Sequence, residues 1–144
     1  PELINKAIST KKGFVEFTRI INNTTGSHIS GSKDSCYGDL EKITVETDSF
    51  KEKIDNFDFL KIDIEGHEAD VLLSTSSEDW KDTDAMLEVG SIKNAEKIFN
   101  FFNDINVNLY SQKNNWAKVK ELDDMPSSYK EGSLFISCKK NVPW

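Results

Sequence analysis

FDFLKIDIEGHEADVLLS, residues 57–74, decides how this chain is read. Leu60, Ile62 and Ile64 alternate with Lys61, Asp63 and Glu65, a period of two that predicts a strand over 57–64. Gly66 ends the run, and residues 68–74 read as a helix. The apolar partners of Asp63 look buried, and a carboxylate among them must be paired, capped or open to a cleft. The carboxyl end of a parallel strand meets that demand, because side chains there open into the crevice where ligands bind. Asp63 and Glu65 are therefore expected at the mouth of a site. Favourable placement at a helix N-terminus accounts for Glu65, Glu68 and Asp70 equally well. It leaves Lys61 and Asp63 unexplained.

Working outward, residues 3–9 and 14–20 read as two strands that pair as a hairpin around Lys11-Lys12-Gly13. Residues 22–38 are rich in Ser, Gly, Asn and Thr and form a long loop, of the kind that often carries function. A strand at 42–46 precedes a short helix over 49–55, capped by Asp48 or Ser49. Beyond the opening stretch lie a strand at 85–89 and an amphipathic helix at 94–105, with Ile98, Phe101, Phe102 and Ile105 at helical spacing. Strands at 107–110 and 133–138 flank a polar connection that holds Trp116, Asp123, Asp124 and Pro126. Strands alternating with helices predict an α/β fold with a mostly parallel sheet in one domain.

Composition removes several function classes. A formal charge of -7 with no basic stripe argues against nucleic acid and anionic membranes, which need clustered Lys and Arg. No apolar run reaches spanning length and no signal peptide is evident, so a cytoplasmic location is expected. Cys36 and Cys138 form no ligand pattern and are expected as separate, reduced thiols. GSHISGSK, residues 26–33, approaches a P-loop, but its Ser and Lys are reversed and no helix follows. Asp63, Glu65, His67 and Glu68 cluster as hard-cation ligands do, yet His28 is the only other histidine, so a catalytic zinc is not expected.

The run from Phe57 to Gly66, followed by Glu68 and Val71-Leu72, resembles the hallmark of the FkbM-type methyltransferases. These are class I S-adenosylmethionine-dependent enzymes that act mostly on hydroxyl oxygens. Asn5 and Ala7 closing an early strand, the hairpin from Gly13 to Phe17, Gly26-Ser27, Asp48 before a helix and Glu88 ending the next strand are similar to that family too. Thr47 departs from the family's apolar residue before the Asp. The glycine-rich turn after the family's first strand and the ribose-binding acid after its second have no counterpart, since the seven glycines never occur as GxG.

The resemblance implies a Rossmann-like class I methyltransferase fold, of which this chain forms the later, C-terminal half with a final antiparallel strand pair. It implies Asp63 near the reacting centre, orienting or deprotonating the attacking hydroxyl or holding the cofactor's ammonium, with Glu65 on substrate or cofactor. Asn5 would approach the adenine. Ser27, His28, Ser30, His67 and Glu88 would line the pocket of a small-molecule or carbohydrate acceptor, without a metal. Two other classes stay open: a non-catalytic binding or assembly module that keeps the sheet, and a divalent-metal hydrolase using Asp63, Glu65 and His67. An uncovered edge on the 57–64 strand further predicts a homodimer.

Overall fold

Two mixed sheets organise the chain in a computed structural model, which describes residues 2–22, 26–32 and 38–144. The first contains β1 (Ala7–Ser9), β2 (Gly13–Ile20), β3 (His28–Ile29) and β4 (Leu40–Ser49), in the order β1-β4-β2-β3. The expected hairpin of the first two strands does not form. β4 lies between them, parallel to β1 and antiparallel to β2. At ten residues β4 offers two full edges, and β2 occupies one of them from Gly13 to Ile20. The link from β1 to β2 crosses the end of β4, where the Thr47 hydroxyl donates to the Lys11 carbonyl at 3.0 Å.

The helix expected over 49–55 is also absent. Thr47, Asp48 and Ser49 pair with β1, and the Phe50 amide donates to the Ser9 carbonyl at 2.9 Å. Sheet pairing claims the residues that local capping chemistry favours, leaving only a 3-10 turn at Ile54–Asn56. Ile54 in that turn is fully buried.

The second sheet contains β5 (Phe59–Ile62), β6 (Asp84–Glu88), β7 (Asn108–Ser111), β8 (Ala117–Lys118) and β9 (Ser133–Ser137). Its order is β5-β6-β9-β7-β8. β5 and β6 are parallel and are joined through α1 (Glu68–Leu72); α2 (Ile92–Asp104) links β6 to β7. β9 is antiparallel to both β6 and β7, so those two run in the same direction without touching. The mostly parallel sheet expected from the sequence is therefore corrected to a mixed one. Parallel pairing is confined to β5–β6 here and β1–β4 in the first sheet. The cause is the long connection after β8, which returns β9 into the space between β6 and β7. The antiparallel pairing of the last two predicted strands, at 107–110 and 133–138, is present as β7–β9.

Helix α2 starts at Ser91, whose hydroxyl accepts from the Asn94 amide at 3.2 Å, and it buries Ala95, Ile98 and Phe102. They pack with Trp80, Leu87, Leu109, Leu134 and Ile136 in one core that lies mostly on the second sheet. Ser137 and Lys139 each donate at 2.6 Å to Asp84, so the buried carboxylate that begins β6 is fully paired. Among the described residues no helix is long and apolar enough to cross a membrane.

Candidate active site at the carboxyl edge of the parallel pair

Ile62 is in register with Leu87, so β5 and β6 end side by side and their exit loops share one edge of the sheet. The β5 exit, Asp63 to Gly66, is held in an unusual shape. Glu65 takes a left-handed φ of 53°, which costs a non-glycine residue roughly 1–2 kcal/mol. Three elements clamp it. The Glu68 carboxylate accepts through Oε1 from the amides of Ile64 at 3.2 Å and Gly66 at 3.1 Å. The Ser32 hydroxyl is shared between the carbonyls of Ile29 at 2.8 Å and Glu65 at 3.2 Å. Nδ2 of Asn94, on α2, donates to the Gly66 carbonyl at 3.2 Å. Strained backbone persists only where its surroundings hold it, and such positions concentrate at functional sites.

Beside this turn a polar cleft of about 340 Å³ opens between the two exits, walled by Gly66, Asp70, Gly90, Asn94, Lys97 and Tyr129. The absence of a side chain at Gly90 lets the Tyr129 ring lie against the backbone, since a Cβ there would come 2.4 Å from its phenol end. Asp70 bridges two cations or potential cations. Its Oδ2 lies 3.2 Å from His67 Nδ1 and its Oδ1 3.6 Å from Lys97 Nζ. His67 Nε2 in turn lies 3.2 Å from the Ser9 hydroxyl at the end of β1. A second, apolar slot of about 330 Å³ separates β1 from the open edge of β5. Ile8, Ile54, Leu60 and Ile62 line it, with Lys61 and Asp63 among its polar residues.

The residues singled out in the sequence divide among these places. Asp63 is exposed and borders the apolar slot, while Glu65 is half-buried within the clamped turn. His67 precedes α1 and faces Ser9 and Asp70. Glu88 ends β6 with its carboxylate 3.7 Å from Lys61 Nζ. Asn5 sits apart, in a depression it shares with Phe17 and Val45. Ser27 accepts from the Ile20 amide at 3.2 Å, and Ser30 shares a 2.7 Å hydrogen bond with Thr18. His28 is buried in β3 with Nδ1 2.9 Å from the Gly26 carbonyl. These last three tie their loop to the first sheet, and it is Gly31 and Ser32 of that loop that reach the cleft. Lys33 and Cys36 lie outside the described residues, whereas Cys138 has a free, exposed thiol.

Asp63, Glu65 and His67 do not converge as a ligand set. Among the described residues no group of three or more His, Cys, Asp or Glu side chains could hold a metal ion. Both ring nitrogens of His67 already face protein partners. Sequence reasoning did not anticipate the inward role of Glu68, nor Asn94, Lys97 and Tyr129. One signal was available: a glycine follows each parallel strand, Gly66 after β5 and Gly90 after β6, as close approach at a crevice demands.

Parallel strands that end together on a polar crevice, with a helix following each, define an α/β domain. The chain belongs to the FkbM methyltransferase family: the model of the Methyltransferase FkbM domain matches residues 4–117, well over half of its length. No curated protein and no solved structure matches it.

Proposed function

We propose that this chain is the C-terminal part of an S-adenosylmethionine-dependent O-methyltransferase domain, with Asp63 at the reacting centre and the cleft beside Gly66 as the acceptor pocket. The observation that carries the reading is the strained turn after β5, clamped at the carboxyl edge of a parallel pair in a chain of this family. The described residues fit the cofactor in part. Ile8 and Leu60 offer an apolar wall, but among the described residues no glycine-rich turn supplies amides to a carboxylate or ribose. The cofactor would bring an electrophilic methyl group. Asp63 would orient the attacking hydroxyl and take its proton from the mouth of the clamped turn.

The slot between β1 and β5 is where strands bearing the remaining cofactor contacts would insert. Among the described residues no strand pairs with that edge of β5, and Phe57 is 49% and Phe59 52% exposed. Without such strands, the described residues of the slot offer the cofactor few hydrogen bonds, worth roughly 0.5–1.5 kcal/mol each. This chain alone should then bind S-adenosylmethionine no better than about 1 mM, as titration calorimetry would register. The same edge should draw two copies into a symmetric dimer. Sedimentation at tens of micromolar checks this, and a clean monomer would count against it.

The direct test of the catalytic assignment uses a protein in which this chain is joined to a glycine-rich cofactor segment. There, Asp63→Asn should lower kcat at least about 100-fold, the scale of general-base catalysis. Stability should move by less than about 1 kcal/mol, since Asp63 is exposed. Full activity in that variant would remove Asp63 from the mechanism.

A further inference from the structure

The cleft at the β5 and β6 exits carries a pattern that methyl transfer alone does not require. Tyr129 packs its ring against Gly90 so closely that no side chain fits between them, and the residue remains 47% exposed. An aromatic side chain thus lines the cleft beside polar groups from three other segments: Ser32, Asp70 and Asn94. An aromatic face ringed by hydrogen-bonding side chains complements a sugar, which has an apolar C–H face and hydroxyls around its rim.

Charge narrows the ligand further. Lys93 and Lys97 both line the cleft, one helical turn apart on α2. Like charges at that spacing repel, and cations near a helix N-terminus oppose its dipole, so neither placement serves the helix. Lys97 is offset by Asp70 at 3.6 Å. Lys93 has no carboxylate partner among the described residues. Among its described lining residues the cleft therefore carries two lysines against one carboxylate, on a chain of net charge -7. Its distant acids are screened beyond about 8 Å at physiological ionic strength, so the local lysine governs what enters.

We propose that the cleft binds a sugar bearing a carboxylate, stacked on Tyr129 with its acidic group at Lys93. The assignment rests on the acceptor-pocket reading above and specifies the acceptor as an acidic carbohydrate. Its test needs neither cofactor nor turnover: the isotope-labelled chain is titrated with glucuronate, glucose and acetate while the amides of Gly66, Gly90 and Asn94 are followed by NMR. Glucuronate should shift all three amides and bind more tightly than either comparison ligand. Lys93→Gln should weaken glucuronate about threefold, the worth of an exposed ion pair, with the rest of the spectrum unchanged. Tyr129→Ala should erase the advantage of glucuronate over acetate. Equal binding of glucose overturns the acidic group, equal binding of acetate overturns the sugar, and no response to glucuronate overturns both. Loss of this assignment leaves the Asp63 test untouched, and failure of the Asp63 test leaves the titration standing.

Discussion

Trp80→Ala should lower the unfolding free energy by about 3–5 kcal/mol, the range for deleting a large buried aromatic. Trp80 is fully buried in the turn that leads from α1 to β6. Its ring meets Phe102 of α2 edge-to-face, with centroids 5.2 Å apart, so one side chain joins the crossover turn to the principal helix. Its Nε1 donates to the Thr75 hydroxyl at 2.9 Å, and that hydroxyl donates to the Leu72 carbonyl at 2.7 Å. Alanine leaves a void between elements whose backbones cannot close on each other, and strips Thr75 of a buried donor. Against a typical total of roughly 5–15 kcal/mol, that loss brings the fold close to its limit. Urea denaturation should show a lower midpoint with an unchanged slope. A loss below about 1 kcal/mol would mean that the ring is not part of the core.

Where periodicity and burial agree, the fold was legible. Ile98, Phe101, Phe102 and Ile105 announce α2, and the Leu60-Ile62 alternation announces β5, because in each case the apolar face is a local pattern. Partner choice is not local. Nothing near Thr47 to Ser49 signals that β1 will pair there, so their capping chemistry reads as a helix start. Nor does any spacing reveal that β9 returns between β6 and β7, which is what turns an expected parallel sheet into a mixed one.

The site divides along the same line. Asp63 and Glu65 stand out in the sequence because carboxylates in an apolar run are costly, yet Asp63 lies just past β5 and is exposed, so the fold does not incur that cost there. Ser27, His28 and Ser30 look equally suited to a ligand, yet their hydrogen bonds go to their own loop and to β2. The cleft draws Asp70, Asn94 and Tyr129 from three segments that only the fold brings together. Glu68 was hidden for a different reason. A glutamate at the start of a helix has an adequate explanation in the helix dipole, and that explanation conceals the inward turn of its carboxylate.

Glu68 should accordingly separate two substitutions of nearly equal size. The side chain is only 2% exposed, and its Oε1 takes both amide hydrogens of the strained turn, while Oε2 is buried without a partner among the described residues. In Glu68→Ala both amides lose their acceptor. Hydrogen bonds to a charged group contribute about 1.5–3 kcal/mol each, offset in part by removal of a half-paired buried carboxylate. A net loss of about 2–4 kcal/mol is expected. Glutamine keeps one oxygen where Oε1 stands and relieves the buried charge, while its amide nitrogen takes the partnerless place of Oε2, so Glu68→Gln should cost about 1–2 kcal/mol, less than Glu68→Ala. Amide hydrogen exchange locates the effect: Ile64 and Gly66 should stay protected with glutamine and exchange rapidly with alanine. Released from its clamp, Glu65 would leave the left-handed region, and the backbone that carries Asp63 would shift with it. In a protein with the cofactor segment joined, turnover should then survive in Glu68→Gln and collapse in Glu68→Ala. Equal losses in the two variants would show that the charge of Glu68, rather than its two hydrogen bonds, holds the turn.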